Sequence, residues 1–325
     1  MRVVLCYQTE AHHVRQIASV APEAEVIDAS QQTIPDEIMS ADVFCGHAKE
    51  RPIPWDEVVA RGRLKWIQSS AAGMDHCLAP AVVRSPILVT SASGLFADQV
   101  AEQTLALLLG LLRSLPVFFR AAQRKEFIRR PTSDLHGSTI GIIGFGGNGR
   151  RLAELLAPYR TRLLATDYFP VDRPEYVEQL LPAGGLHEVL RQSDVVILCV
   201  PLTEQTRGMI DRPALEAMKP GAVLINVARG PVVVEDALVD SLESHHLGGA
   251  GLDVTEIEPL PAASRLWDLP NVIITPHVGA QSKHRFDDAT DLFSDNLRRY
   301  LDGRPLSNVV DKELGFPRRG TGEAG

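Results

Sequence analysis

No apolar run in this 325-residue chain approaches the length of a membrane span. The longest, LALLLGLL at 105–112, is flanked by Glu102 and Arg113 and reads as a core helix, far short of the roughly 20 apolar residues a bilayer requires. Strong basic blocks are also missing. Lys and Arg number 33 against 41 Asp and Glu, and the net charge of −8 is spread along the chain. That balance excludes nucleic acid and anionic membrane as natural partners, since both select a basic face. The small cluster Arg124, Lys125, Arg129 and Arg130 reads as a solvated face. Cysteine is scarce: Cys6, Cys45, Cys77 and Cys199 form no CxxC pair, and three of them lie in the apolar runs VVLCY, DVFCG and VVILCV. This pattern excludes a disulfide framework and a thiolate metal site, and predicts buried thiols in a reducing compartment, the cytoplasm. His12–His13 and His245–His246 are adjacent pairs that do not share a helix face, so no metal site is expected. The opening MRVVLCYQTE turns polar too early for a secretory leader, and no repeat of solenoid length is visible.

What is present is the mixture of a soluble globular protein, 45% apolar and 23% charged, at a length that suits two domains. Short apolar runs alternate with helical stretches, which predicts βαβ units and parallel sheets. In the first part the predicted strands are 2–6, 25–28, 42–45, 64–68 and 86–90. A long helix begins at Asp98 with DQVAEQTLALLLGLLRSL, apolar on nearly every side and therefore buried between layers or at an interface. A second series follows, with strands predicted at 139–143, 162–166, 194–199, 222–226, 249–252 and 271–275. These are near-continuous apolar runs, as expected for strands covered on both faces. Pro213 opens a helix over 211–218, and a last helix is predicted over about 283–301. The tail FPRRGTGEAG is expected to fray, and Trp267 is expected in a core or cleft wall. Hydropathy does not decide whether the last helix returns to the first domain.

The segment TIGIIGFGGNGRRLAELL contains Gly144-x-Gly146-x-x-Gly149. A GxGxxG alone is weak, but here a β-branched strand leads in and a helix leads out. The first glycine permits a tight turn, the second lets backbone approach a pyrophosphate, and the third allows helix–strand packing, with the phosphates on the helix N-terminus. Asp167 follows Gly149 by eighteen residues, at the end of the next predicted strand. A carboxylate there accepts from a ribose 2′-hydroxyl and repels a 2′-phosphate, which predicts NAD in preference to NADP.

In open parallel sheets the ligand lies beyond the carboxyl ends of the strands. After 194–199 come Pro201 and Thr203, a flank for the nucleotide; after 222–226 comes Arg229; after 249–252 come Asp253, Glu256 and Glu258; after 271–275 comes His277. Taken singly, each has a structural explanation, and His277 alone is more often a loop residue. Together they place an arginine, a carboxylate and a histidine at the dinucleotide edge. An arginine holds a carboxylate bidentately, a histidine passes a proton near neutral pH, and a carboxylate beside it orients the ring and favours its charged form. The reaction that uses all three beside a nicotinamide is hydride transfer at C2 of a small 2-oxo or 2-hydroxy acid.

Over most of its length, from LKWIQSSAAGMDH to NLRRYLDGRPLSNVV, the chain resembles the D-isomer-specific 2-hydroxyacid dehydrogenase family. The resemblance is carried by SASGLFADQVAEQTLALLLGLLRSLP, GSTIGIIGFGGNG, CVPLTEQTRGMI, NVARGPVVVEDAL, GAGLDVTEIEPLP and LWDLPNVIITPHVGA. It implies that Arg229 binds substrate, that Glu258 pairs with the histidine, and that His277 is the general acid/base. It implies further that backbone amides at Ala72 and Gly73, in SSAAGMD, hold the substrate carboxylate. The cofactor set is Gly144, Phe145, Gly146, Gly147, Asn148, Gly149, Asp167, Val200, Pro201, Thr206, Ala228 and Asp253. The implied fold is a Rossmann NAD-binding domain, 98–285, inserted in a flavodoxin-like substrate domain made of 1–97 and 286–325, with the active site in the cleft. The implied assembly is a homodimer built on the nucleotide-binding domains. Glu258 stands where formate dehydrogenases carry glutamine, and Ala72 where phosphite dehydrogenases carry lysine; the nearest likeness is to glyoxylate/hydroxypyruvate reductases. A nucleotide-sensing corepressor-like scaffold with little turnover is the alternative.

Overall fold

A computed structural model describes residues 1–318, so most of the glycine-rich tail lies outside the described residues. Of that tail, Phe316–Pro317 is not frayed but pairs antiparallel with Val310–Asp311. The chain divides into two compact units, one made of Met1–Phe96 and the chain from Ser282 onward, the other of Ala97–Gln281.

The first unit is built on a five-stranded parallel sheet: β1 (Arg2–Cys6), β2 (Glu25–Asp28), β3 (Val43–Gly46), β4 (Trp66–Ser69) and β5 (Leu88–Thr90), in the order β2-β1-β3-β4-β5. That is the flavodoxin-like order. Valine and other β-branched or apolar residues fill β1, β3 and β4 because both of their faces are covered. Helix Arg285–Leu301 belongs to this unit, where Phe293 and Leu297 join Val3, Leu5, Ile17 and Trp66 in one buried cluster.

The second unit carries seven parallel strands: β6 (Thr139–Ile143), β7 (Arg162–Asp167), β8 (Gln179–Pro182), β9 (Val195–Leu198), β10 (Val223–Asn226), β11 (Gly249–Leu252) and β12 (Val272–Ile274). Their order is β12-β11-β10-β9-β6-β7-β8, the Rossmann arrangement with one added strand at the β12 edge. Strict alternation along the strands separates two cores: Ile140, Ile142, Val195, Ile197 and Ile225 face one way, Ile143, Val196, Leu198 and Leu224 the other. Strand β8 has no counterpart in the sequence reading, because QLLP is short, half-buried and lacks β-branched residues. The long helix also differs from expectation. It spans Ala97–Leu112, breaks at Ser114 in a left-handed conformation, and resumes as Leu115–Gln123 bent by 68°. Among the described residues no single helix is long and apolar enough to cross a membrane.

All four cysteines are free. Burial pushes the Cys77 and Cys199 thiols up to about 12, which leaves them protonated and inert.

Candidate active site

The glycine-rich turn is shaped by contacts that tolerate no side chain. Gly144 has a φ of +97°, and a Cβ there would lie 2.8 Å from the carbonyl of Cys199, because β9 runs beside β6. A Cβ on Gly149 would meet the Gly144 carbonyl at 2.2 Å. Gly146 faces open space and is the extended N-cap of helix Gly147–Leu156, with no side chain capping that end. The turn therefore fits a dinucleotide pyrophosphate: an uncapped helix start, and room for backbone approach. Phe145 is buried in the core beneath it. Asp167, at the end of β7, accepts hydrogen bonds from the backbone N–H of Phe145 at 2.6 Å and of Phe169 at 2.8 Å. Thr206 folds its own turn, donating to the Pro201 carbonyl at 2.7 Å and accepting from the Thr203 N–H at 2.8 Å. Val200 and Pro201 are half-buried beside it, and Ala228 is buried.

The second group sits at the carboxyl ends of three adjacent strands, where Asn226, Leu252 and Ile274 are in register. Asn226 is 1% exposed and staples the loop after β10: its amide donates to the Arg229 carbonyl at 3.1 Å and its oxygen accepts from the Ala228 N–H at 3.0 Å. Gly230 follows, and a Cβ on it would stand 1.8 Å from the carbonyl of Thr255. Only glycine allows the Arg229 loop to lie this close against the loop that carries Glu258. Of the two candidate carboxylates, Glu256 faces away and accepts from the N–H of Glu235 at 3.2 Å. Glu258 is the one that meets His277, its Oε2 2.8 Å from Nδ1. Both side chains keep contact with solvent, 45% exposed for His277 and 39% for Glu258. Partial burial raises the Glu258 carboxyl, but the hydrogen bond and charge of His277, the Thr255 N–H and the Arg229 charge outweigh it, so the group lies below the usual carboxylate range. With Nδ1 turned to Glu258, Nε2 is the ring nitrogen left to exchange a proton.

His277 has a φ of +54°, and its N–H donates to the Asp253 carbonyl at 2.8 Å. Asp253 is 3% exposed, and its carboxylate accepts from the Thr275 hydroxyl at 2.7 Å and from the N–H groups of Val278 at 3.0 Å and Gly279 at 2.8 Å. Asp253, placed by sequence among cofactor ligands, also holds the loop that bears His277. Asn226, which is buried, and Thr275, which is half-buried, were missed, and a polar residue closing an apolar strand was the available signal.

Ala72 and Gly73 belong to the other unit, in the loop after β4. Ser69 Oγ anchors that loop by accepting from the Ala71 N–H at 3.0 Å. The N–H groups of Ala72 and Gly73 make no hydrogen bond among the described residues. Two donors are thus left open at the carboxyl edge of that sheet.

One cluster contradicts an argument made from sequence. His12 and His13 do converge, because Asp287 of another helix reaches both: its Oδ1 lies 3.0 Å from His12 Nε2 and 2.8 Å from His13 Nε2. A metal is nonetheless poorly served. His13 Nδ1 accepts the Glu10 N–H at 2.9 Å, so its proton sits on Nε2, the atom a metal would need bare. The cluster is a helix tie.

A two-unit α/β chain with a glycine turn, an acid at the end of the next strand, and an arginine, glutamate and histidine at neighbouring strand ends has the arrangement of a nicotinamide-dependent oxidoreductase. Residues 105–279 match the family described as D-isomer specific 2-hydroxyacid dehydrogenase, NAD binding domain. A glyoxylate reductase of Pyrococcus furiosus is 34% identical over 263 residues, 78% of this chain and 77% of that protein. A solved D-isomer specific 2-hydroxyacid dehydrogenase family protein of Aeromonas salmonicida is 31% identical with a TM-score of 0.81, covering 96% of this chain and 99% of that one. An NADPH-dependent glyoxylate/hydroxypyruvate reductase of Sinorhizobium meliloti, solved with NADP and sulfate, is 28% identical with a TM-score of 0.81 over 97% and 99%. The chain belongs to the D-isomer-specific 2-hydroxyacid dehydrogenase family, and it is an enzyme with an NAD-binding domain. This leaves the nucleotide-sensing scaffold without support.

Proposed function

We propose that the protein reduces a small 2-oxo acid, glyoxylate or hydroxypyruvate, to the 2-hydroxy acid with NADH, in the D configuration where C2 becomes a stereocentre. The observation that carries this reading is the 2.8 Å pairing of His277 with Glu258 beside the Arg229 loop, in the unit that bears the glycine turn. The substrate class also draws on the named activities of the Pyrococcus and Sinorhizobium relatives.

The guanidinium of Arg229 binds the substrate carboxylate, and the open amides of Ala72 and Gly73 are further donors to it. The hydride for C2 is what NADH contributes when bound. His277, protonated, gives the proton on Nε2 to the carbonyl oxygen, and Glu258 holds the ring and balances its charge. Residues 144–149 hold the pyrophosphate and Asp167 the ribose, with Val200, Pro201, Thr206, Ala228 and Asp253 along the nucleotide. The preference for NADH rests on the Asp167 carboxylate, which repels a 2′-phosphate. Residues 1–97 and 286–325 serve as the substrate domain and 98–285 as the nucleotide domain.

The working state is a cytoplasmic homodimer. An apolar groove of about 500 Å³ runs along helix Ala97–Leu112 and β12, with Phe119 and Trp267 on its walls. Trp267, expected in a core or cleft wall, is half exposed there. Later in the chain, Phe127 is 92% exposed on a segment without regular structure. An apolar groove and an exposed phenylalanine on one chain suit a self-complementary two-fold contact.

Initial rates with glyoxylate, hydroxypyruvate, pyruvate and phenylpyruvate, each with NADH and NADPH, test the reading. Highest kcat/KM is expected for one of the first two with NADH; no turnover of any of the four overturns it.

A further inference from the structure

Strand β12 ends at Ile274, and within three residues the chain passes a proline and places His277 in a left-handed conformation. Glu258 orients only the ring. The backbone is held from the other side by Asp253, whose carboxylate grips residues on both flanks of the histidine: Thr275 before it, Val278 and Gly279 after it. The orientation of that carboxylate is therefore the orientation of the loop.

Thr275 links it to a rigid part of the molecule. Its hydroxyl oxygen accepts from the side-chain amide of Gln103 at 2.9 Å. Because the Gln103 nitrogen can only donate, the hydroxyl hydrogen of Thr275 is left to Asp253. The chain of bonds has one polarity throughout, from Gln103 to Thr275 to Asp253 to the loop. Gln103 rides on helix Ala97–Leu112, whose buried residues Leu107 and Leu108 fix it in the core of the same unit.

Resting on the acid/base role proposed above for His277, we propose that Gln103 and Thr275 are positioning residues for that histidine, acting through Asp253. Neither reaches the ring. They set where the ring stands relative to Glu258, which pairs with Nδ1 and also feels the charge of Arg229, while Asp253 is turned to the loop backbone.

The test compares Thr275→Val, Thr275→Ser, Gln103→Leu and the double variant Thr275→Val/Gln103→Leu in the reduction of glyoxylate by NADH across pH. Misplacement of a catalytic group by about 1 Å costs on the order of a hundredfold, so Thr275→Val is expected to lower kcat about 10- to 100-fold. KM for glyoxylate and the fluorescence-measured Kd for NADH should stay within about twofold. The limb of the pH–rate profile set by the histidine should move, and Thr275→Ser, which keeps the hydroxyl, should restore it. Gln103→Leu should cost less, because Thr275 can still donate to Asp253, and its effect should largely vanish in the Thr275→Val background. NMR titration of the His277 ring, assigned with His277→Asn, gives the same readout without substrate and serves for any variant too slow to assay. Unchanged kcat and ring titration in Thr275→Val, or losses that simply add in the double variant, would overturn the positioning role. Full turnover in His277→Asn would instead remove the acid/base reading itself.

Discussion

Glu258 and His277 lie nineteen residues apart and leave neighbouring strands, yet their Oε2 and Nδ1 atoms stand 2.8 Å apart. Positioned general acid–base groups contribute about 10²–10⁴-fold, so His277→Asn is expected to lower kcat by that factor while NADH still binds. Steady-state rates and NADH fluorescence together check both halves. Glu258→Gln keeps an acceptor but loses the charge, and its histidine limb should shift to lower pH. The stability consequence has a definite sign. Because the folded Glu258 carboxyl lies below its ordinary value of about 4.3, its contribution is present above that pH and is lost as pH falls through the lower folded value. Thermal melts of wild type and Glu258→Gln should therefore converge in acid, and solvent exposure keeps the gap at neutral pH below about 1 kcal/mol.

Gly230 gives a steric test. Since its Cβ would stand 1.8 Å from the Thr255 carbonyl, Gly230→Ala must push the Arg229 loop away from the Glu258 loop. Activity is expected to fall at least about tenfold, with KM for the 2-oxo acid rising, while NADH affinity changes little. A normal KM in a folded Gly230→Ala protein contradicts the close approach.

The groove and the exposed phenylalanine make the dimer testable by charge. Phe119→Asp and Phe127→Asp should shift the protein from dimer to monomer in light scattering at micromolar concentration. A monomeric wild type, or a dimer indifferent to both changes, rules out this face.

Asp287 supplies a second pH-linked tie. Hydrogen bonds from His12 and then His13 lower its carboxyl to about 2. The tie is present above the ordinary aspartate value near about 3.9 and is lost as pH falls toward the folded value. Asp287→Asn should melt below wild type at neutral pH, with the two curves converging in strong acid.

Much of the fold was legible because it is local. Each strand of the second unit except β8 announces itself as a short apolar run, and the spacing from Gly144 to Asp167 needs no distant information. Arg229, Glu258 and His277 were legible for a related reason: parallel strands end on one edge, so residues that follow three strands become neighbours. What stayed hidden depends on contacts between distant segments. The kink at Ser114 falls where Arg113, Ser114 and Pro116 interrupt the apolar run, but its angle depends on what the second helix packs against. His12 and His13 cannot face one another along a helix, but a carboxylate 274 residues away from His13 reaches both. Gln103 and Thr275 stand 172 residues apart, and nothing in the sequence pairs them.

The carboxylate of Asp167 does two things at once. It stands where a ribose is expected, and it also holds the Phe145 N–H, closing the glycine turn onto the end of β7. Cofactor choice and turn geometry are therefore not separable by one substitution. Asp167→Ala should relax discrimination against NADPH and, in the same step, raise KM for NADH, which paired cofactor titrations will show. A variant that accepts the phosphorylated cofactor at full efficiency needs a second change that gives the Phe145 amide a new acceptor. On the role proposed for Asp167, a change toward NADPH from this sequence passes through a variant whose glycine turn has lost its acceptor.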